Sequence, residues 1–279
     1  MPELPEVETT LRGIEPALTG RTIDEVLVRN AGLRWPVPVE IRRAHGCRVV
    51  RCWRRGKYLL IELNRGDSAV ISGVGGLLIH LGMSGSLRIC EAGDAPRKHD
   101  HVDIVLDSGK CIRFNDPRRF GVFTWWDPPA QGHKLLRDLG PEPLSGSFSG
   151  DHLWRESRGR KAAVKNFIMD GKIVVGVGNI YASEALFMAG IHPMRQAGRI
   201  SAARYETLAA AICDVLNRAI RSGGTTLRDF SNAEGNPGYF VQELLVYERE
   251  GLPCFQCQTP LKRKVIGQRS SYYCPRCQR

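Results

Sequence analysis

Four cysteines near the C-terminus are spaced as Cys254-x2-Cys257 and Cys274-x2-Cys277, with sixteen residues between the pairs. Each pair can grip one edge of a tetrahedral ion from a tight turn, and the intervening stretch is long enough for a β-hairpin that brings the two turns together. This predicts one Zn2+ held by four thiolates, structural because no coordination position stays open. Two redox-active dithiols are the alternative, although neither pair opens a helix after a strand. Between the pairs lie Lys262, Arg263, Lys264, Arg269, Tyr272 and Tyr273, a basic and aromatic hairpin suited to nucleic acid. Cys47, Cys52, Cys90, Cys111 and Cys213 stand in apolar or strand-like contexts and read as buried or idle thiols.

Charge supports a polyanionic partner. Forty Lys and Arg against 29 Asp and Glu give a formal +11. Residues 252–279 hold six basic and no acidic side chains, more than half of that excess. Four thiolates and one divalent ion reduce the segment to about +4. The first residues carry three carboxylates and no basic or apolar leader, so no secretory signal is expected. The longest uncharged stretch, 68–87, is broken by glycines, and no membrane role follows. A cytoplasmic protein, associated with the nucleoid through DNA, is the expectation, and its reducing surroundings argue against a disulfide framework.

Apolar residues Val7, Leu11, Ile14 and Leu18 mark one face of a helix that starts near Pro5 and stops before Gly20. Alternation and turn residues then predict eight short strands over 22–29, 47–53, 57–63, 77–81, 86–89, 102–106, 111–114 and 121–126, hence a β-sandwich or barrel. Residues 127–150, rich in Pro, Gly and Ser, have linker composition. Helical content follows over 162–169, 180–189 and 202–221, the last capped by Ser201. The Gly/Asn/Ser/Thr-rich segment 222–239 is long enough to be a functional loop. The fold class is therefore α+β, with domains at 1–130, 131–243 and 244–279.

Residue 2 is proline, and removal of Met1 would expose a secondary amine. With a reference pKa of about 7.7–8.0, an α-amino group is partly unprotonated near neutrality. Condensed with a sugar C1′ it gives an iminium ion, an electron sink that acidifies the C2′ proton and opens the way to loss of the 3′-phosphate. Glu3 and Glu6 lie within one turn as acid/base groups. Acidic residues also favour helix N-termini for electrostatic reasons alone, so this pattern by itself leaves both readings open.

The combination of motifs is more specific. Met1-Pro2-Glu3-Leu4-Pro5-Glu6-Val7-Glu8, HLGMSGSLR from His80, KHDHVD from Lys98, DPRRFG from Asp116, GVGNIYASE from Gly176, GTTLRDF from Gly224, PGYF from Pro237 and the four-cysteine module occur in order over nearly the whole chain. Together they resemble the formamidopyrimidine-DNA glycosylase family, bacterial base-excision enzymes for 8-oxoguanine and ring-opened purines. The resemblance implies an N-terminal helix with a β-sandwich, then a helix–two-turn–helix domain with a β-hairpin zinc finger, and DNA in the cleft between.

It also implies roles for individual residues. Pro2 would be the nucleophile at C1′, Glu3 the acid/base, Lys57 a strand lysine for proton transfer and phosphate contact, and Arg269 the zinc-finger arginine active in δ-elimination. Met83, Arg118 and Phe120 would fill the gap left by the flipped base, with Arg118 facing the orphaned cytosine. His99, Arg118, Arg160 and Asn179 fall on DNA-binding positions, with Lys165 a further phosphate candidate, and 223–239 matches the loop that closes over the lesion. The implied partner is double-stranded DNA bearing oxidised purines or abasic sites, bound by a monomer.

Arg160 stands where lysine is common, Ser270-Ser271 replaces a small-residue–Thr pair, and residues 72–76 look like a lengthened strand connection. An endonuclease VIII-like enzyme for oxidised pyrimidines and a non-catalytic zinc-dependent damage binder are the competing readings. The first lacks the PELPEVE start, and the second would not need Pro2, Glu3, Lys57 and Arg269 together.

Overall fold

The computed structural model describes residues 2–66, 74–224 and 243–279. The chain divides into two compact units, Met1–Asp138 with Gly223–Tyr239, and Leu139–Ser222 with Phe240–Arg279. Most of the loop expected at 223–239, and Ser72 and Gly73 of the lengthened connection, lie outside the described residues.

The first unit opens with α1 (Leu4–Leu18), followed by β1 (Ile23–Val28), β2 (Arg48–Arg55), β3 (Tyr58–Asn64), β4 (Gly75–His80), β5 (Ser86–Glu91), β6 (Asp100–Leu106), β7 (Lys110–Asn115) and β8 (Val122–Trp126). Each of the eight expected strands has its counterpart. They form two antiparallel four-stranded sheets, ordered β1-β6-β7-β5 and β2-β3-β4-β8. Alternation sends Ile23, Leu87, Val102, Ile104, Ile112 and Phe114 of one sheet into the same core as Val49, Leu59, Ile61, Leu77, Ile79 and Phe123 of the other. The apolar face of α1 (Val7, Leu11, Ile14, Leu18) joins that core, each large aliphatic contributing about 1.5–3 kcal/mol by burial.

One correction bears on the site. Lys57 was expected to start a strand but sits in the two-residue turn between β2 and β3, where Arg55 pairs with Tyr58. Gly56, at φ +58°, supplies the left-handed residue that such a tight reversal needs.

A buried arginine orders the other end of the β5–β7 sheet. Arg113 grips Asp103 through two bonds of 2.9 and 2.8 Å and donates to the backbone of Asp94 at 3.0 Å, and Arg29 closes on the same carboxylate at 2.8 Å. Burial pushes the Asp103 carboxyl up, but the two guanidinium groups outweigh it and hold it below its usual value.

The second unit contains α2 (Gly150–Ser157), α3 (Val164–Ile168), α4 (Asn179–Met188), α5 (Ala202–Arg221) and the hairpin β9 (Lys262–Ile266) and β10 (Arg269–Tyr273). Helix α2 was not anticipated, because its first residue is glycine and the stretch before it reads as linker. Ser149 caps it, accepting from His152 N–H at 3.1 Å, and the glycine is needed because a Cβ at Gly150 would overlap the Glu206 backbone of α5. Helix α5 begins under its Ser201 cap as expected and buries Tyr205, Leu208, Ile212, Val215 and Leu216. Among the described residues, no helix is long and apolar enough to cross a membrane.

Candidate active site

Pro2 and Glu3 are buried at the head of α1. Glu3 is the N-cap in a reciprocal capping box: its side chain accepts from the Glu6 N–H, and its own N–H donates to Glu6 Oε2 at 2.8 Å. The residue before the helix therefore leaves a fixed cap in a fixed direction. Gly224, the second of the expected lesion-loop residues and at φ +83°, passes so close that a Cβ there would sit 3.1 Å from Glu6 Oε1.

Helix α1 is tied to the turn that carries Lys57. Glu8 accepts from Arg54 Nε at 3.0 Å, and Arg54 Nη1 donates to the Gly56 carbonyl at 2.9 Å. Across the sheet, Tyr58 stacks on His80 with ring centroids 4.9 Å apart, and His80 Nδ1 accepts the Gly82 N–H at 3.0 Å. Burial, with the charges of Lys57 and Arg34, lowers the His80 pKa to about 4, so the ring is neutral at pH 7 and Nδ1 stays an acceptor. That bond shapes the turn leading to half-buried Met83. At Gly82 (φ +65°) a Cβ would stand 2.5 Å from Gly121 N, so only glycine lets the Met83 turn approach the segment after Phe120.

Asp116 gathers the remaining residues of this unit. Fully buried, it accepts from Ser84 Oγ at 2.7 Å and from Gly121 N–H at 2.7 Å; its N–H donates to His99 O at 3.1 Å, and its carbonyl accepts from His101 Nε2 at 2.8 Å. Ser84 Oγ also accepts the Arg118 N–H at 3.2 Å. The Asp116 carboxylate thus fixes the Met83 turn and the Arg118–Phe120 loop, and its backbone N–H holds the carbonyl of His99, which adopts φ +73°. Arg118 and Phe120 remain exposed, the guanidinium 5.0 Å from the ring centroid. A cation paired with a ring, projecting beside a methionine, can enter a base stack and offer hydrogen bonds to an unpaired base. His80 and Ser84 lie in the HLGMSGSLR motif and Asp116 opens DPRRFG, but the sequence assigns none of the three a role. Beyond the motifs, the local signal is an Asp-Pro pair directly after a strand, a turn-forming combination.

In the second unit, Arg269 is exposed at the start of β10, presented by the Gly267–Gln268 turn, both of whose residues have positive φ. Arg160 is exposed after α2, its Nε donating to the Glu156 carbonyl at 2.8 Å. Asn179 opens α4; its amide donates to Ser270 O at 3.0 Å and accepts from Lys165 Nζ at 2.6 Å. Lys165 is placed otherwise than a phosphate ligand requires. It is fully buried, and its ammonium donates to Asn179 Oδ1, to Ser270 O at 3.1 Å and to Ser271 Oγ at 2.7 Å, which binds α3 and α4 to the hairpin.

Glu184 of α4, also missed, accepts three successive backbone N–H groups, of Leu245, Val246 and Tyr247, at 2.8, 3.0 and 2.8 Å. Burial pushes its carboxyl up while these bonds pull it down. Glu184→Ala would take the acceptor from three backbone donors, one buried and two half-buried. It should cost about 3 kcal/mol or more in urea unfolding, and a loss below about 1 kcal/mol would show that water replaces the carboxylate.

The four cysteine sulfurs lie within 4.8 Å of one another, with Cys254–Cys277 at 3.9 Å and Cys257–Cys274 at 3.4 Å. A zinc ion with Zn–S bonds of about 2.3 Å requires tetrahedral edges near 3.8 Å, so the donor set fits. Gln278 braces it, accepting the Cys274 N–H at 2.8 Å and donating to Ile191 O at 2.9 Å. Cys254 and Cys274 pack with Phe187, Val246 and Leu261.

Comparison with known proteins covers most of the chain. Residues 1–123 match the formamidopyrimidine-DNA glycosylase N-terminal domain, 139–231 the formamidopyrimidine-DNA glycosylase H2TH domain, and 251–279 the zinc finger found in FPG and IleRS. A formamidopyrimidine-DNA glycosylase of Alcanivorax borkumensis is 61% identical over 100% of both chains. A Lactococcus lactis FPG mutant in complex with a Fapy-dG containing DNA superposes with a TM-score of 0.89, 28% identity and 100% coverage of both chains. The Lactococcus lactis Fpg in complex with an abasic site containing DNA gives 0.89, 28% and 99% of each chain.

Proposed function

The chain belongs to the formamidopyrimidine-DNA glycosylase family, and from that premise we propose how its own residues carry out excision of oxidised purines and strand cleavage. The protein is a bifunctional DNA glycosylase and AP lyase of base-excision repair, acting on double-stranded DNA with one structural zinc ion. Its place of work is the cytoplasm, at the nucleoid.

The observation that carries the reading is the head of α1. The capping box aims residue 2 out of a rigid helix start, and the Glu8–Arg54–Gly56 chain holds the Lys57 turn to the same helix. With Met1 removed, the Pro2 amine attacks C1′ of a flipped nucleotide and the base departs. The resulting iminium ion draws electrons from the C2′–H bond, so the 3′-phosphate and then the 5′-phosphate leave. Glu3 moves protons at the sugar and the departing base, Lys57 serves proton transfer and phosphate contact, and Arg269 grips phosphate through its planar fork.

Met83, Arg118 and Phe120 occupy the vacated stack, which offsets the unstacking cost of a few kcal/mol. His99, Arg160 and Asn179 contribute phosphate contacts. Lys165, by its burial, is a positioning residue for Asn179 and the hairpin. The zinc ion, when bound, supplies rigidity to that hairpin and no chemistry at the sugar.

Excision should be strongest from 8-oxoguanine opposite cytosine and weak from thymine glycol, measured as single-turnover cleavage of matched duplexes. A preference for thymine glycol would move the chain to the pyrimidine-specific reading.

A further inference from the structure

Five cysteines lie outside the zinc centre, and strand register brings two of them together. Cys90 of β5 and Cys111 of β7 are direct cross-strand partners with their sulfurs 3.2 Å apart. Antiparallel partners have Cα atoms about 4.5–5.5 Å apart, inside the roughly 4.4–6.8 Å range of disulfides. Joining them therefore needs a small side-chain movement and no change of register. Among the described residues, only the four zinc cysteines form a group of three or more metal donors, so this pair is two ligands short of a comparable centre.

The two thiols differ in access. Cys111 is fully buried, whereas Cys90 is half-buried and lines an open hollow of about 490 Å3 with Arg88, Glu91, Asp94 and Arg97. A small molecule can reach one sulfur but not the other. We infer that Cys90 and Cys111 are a disulfide-forming site, closed in two steps by a low-molecular-weight disulfide.

In the first step Cys90 gives its proton to solvent and its thiolate attacks one sulfur of the small disulfide, forming a mixed disulfide and expelling one small thiolate, which takes up a proton from solvent. In the second, Cys111 gives its proton to solvent and attacks the Cys90 sulfur, expelling the other small thiolate. Two protein thiols are thereby oxidised, and one small disulfide is reduced to two thiols. Burial, then the hydrogen bond with Cys90 and the charge of Asp103, pushes the Cys111 thiol up to about 12. So basic a thiolate is a poor leaving group, and an outside thiol attacking Cys90 displaces it slowly; the buried Cys111 sulfur is shielded from direct attack. Formation is slow for the same reason, and the bond persists once made.

The location gives the bond a mechanical consequence. Strand β5 begins three residues after Met83, and β7 ends three residues before Arg118. A bond between Cys90 and Cys111 staples the two strands that deliver the base-filling side chains.

The test uses the zinc-loaded full chain, incubated with glutathione disulfide, alkylated and digested with trypsin. Cleavage after Arg97 and Lys110 puts Cys90 and Cys111 on separate peptides. The expected result is a cross-linked 90–111 peptide pair with zinc retained, and a Tm raised by several degrees and restored by dithiothreitol. Cys90→Ser, at the half-buried position, should show neither change, and Cys111→Ser should stop at a mixed disulfide on Cys90. A wild-type protein that stops at the mixed disulfide, or that links Cys90 to other cysteines as readily as to Cys111, overturns the assignment.

Discussion

Pro2→Gly should lower both excision and borohydride trapping on 8-oxoguanine DNA by roughly 100-fold, a barrier increase of about 2.7 kcal/mol. Glycine keeps an α-amine, so the loss has to come from what the ring supplies. A secondary amine condenses to an iminium ion that carries its charge at every pH, whereas a primary amine gives an imine that must first be protonated to draw electrons. Proline also holds φ near −65°, and glycine frees the segment that the Glu3–Glu6 box otherwise directs. The capping box lies outside the substituted residue, so Tm should change by no more than a degree or two, separating lost chemistry from lost fold. Intact mass must first show that Met1 is absent, since a retained methionine blocks the amine in either protein. Full trapping by the glycine variant, or none by processed wild type, would remove Pro2 from the mechanism.

Much of this architecture is legible in the residues because the signals are local. The eight strands follow from alternation broken by Gly, Asn, Asp and Pro, and α5 from a serine cap and a single apolar stripe. Helix α2 is hidden because its opening glycine answers to Glu206, more than fifty residues away. Lys165 misleads for a related reason. A lysine beside an asparagine reads as solvated, and the carbonyl of Ser270 and the side chains of Asn179 and Ser271, 14 to 106 residues distant, make its interior position tolerable.

The same limit governs the candidate site. Pro2, Met83, Arg118 and Arg269 are visible as motif positions, because each projects from a turn or terminus whose local sequence is distinctive. Asp116 and Ser84, which hold those turns, act through bonds to residues that the chain order separates, and His80, whose bond to Gly82 is local, is placed by its strand pairing with Tyr58 and Val122. Register does the same for Cys90 and Cys111: each looks idle in its own strand, and only the pairing of β5 with β7 makes them neighbours.

Removing zinc should weaken DNA binding at least tenfold while leaving the first unit folded. A two-stranded hairpin is marginal alone, and this one has little apolar support. Its core is Phe187, Val246 and Leu261 packed around Cys254 and Cys274. Without the metal, four thiols replace a cross-linked cluster, and the cations Lys262, Lys264 and Arg269 lose their fixed spacing. Each phosphate contact adds about 0.9 to the slope of log K against log salt, so the slope should fall by about 2–3 in the metal-free protein. Anisotropy titrations at several salt concentrations measure it. Trp35, Trp53, Trp125 and Trp126 of the five tryptophans belong to the first unit, so unchanged tryptophan emission reports that its fold survives. A verified metal-free protein with the original affinity and slope would mean that the hairpin holds its shape, or DNA its grip, without the ion.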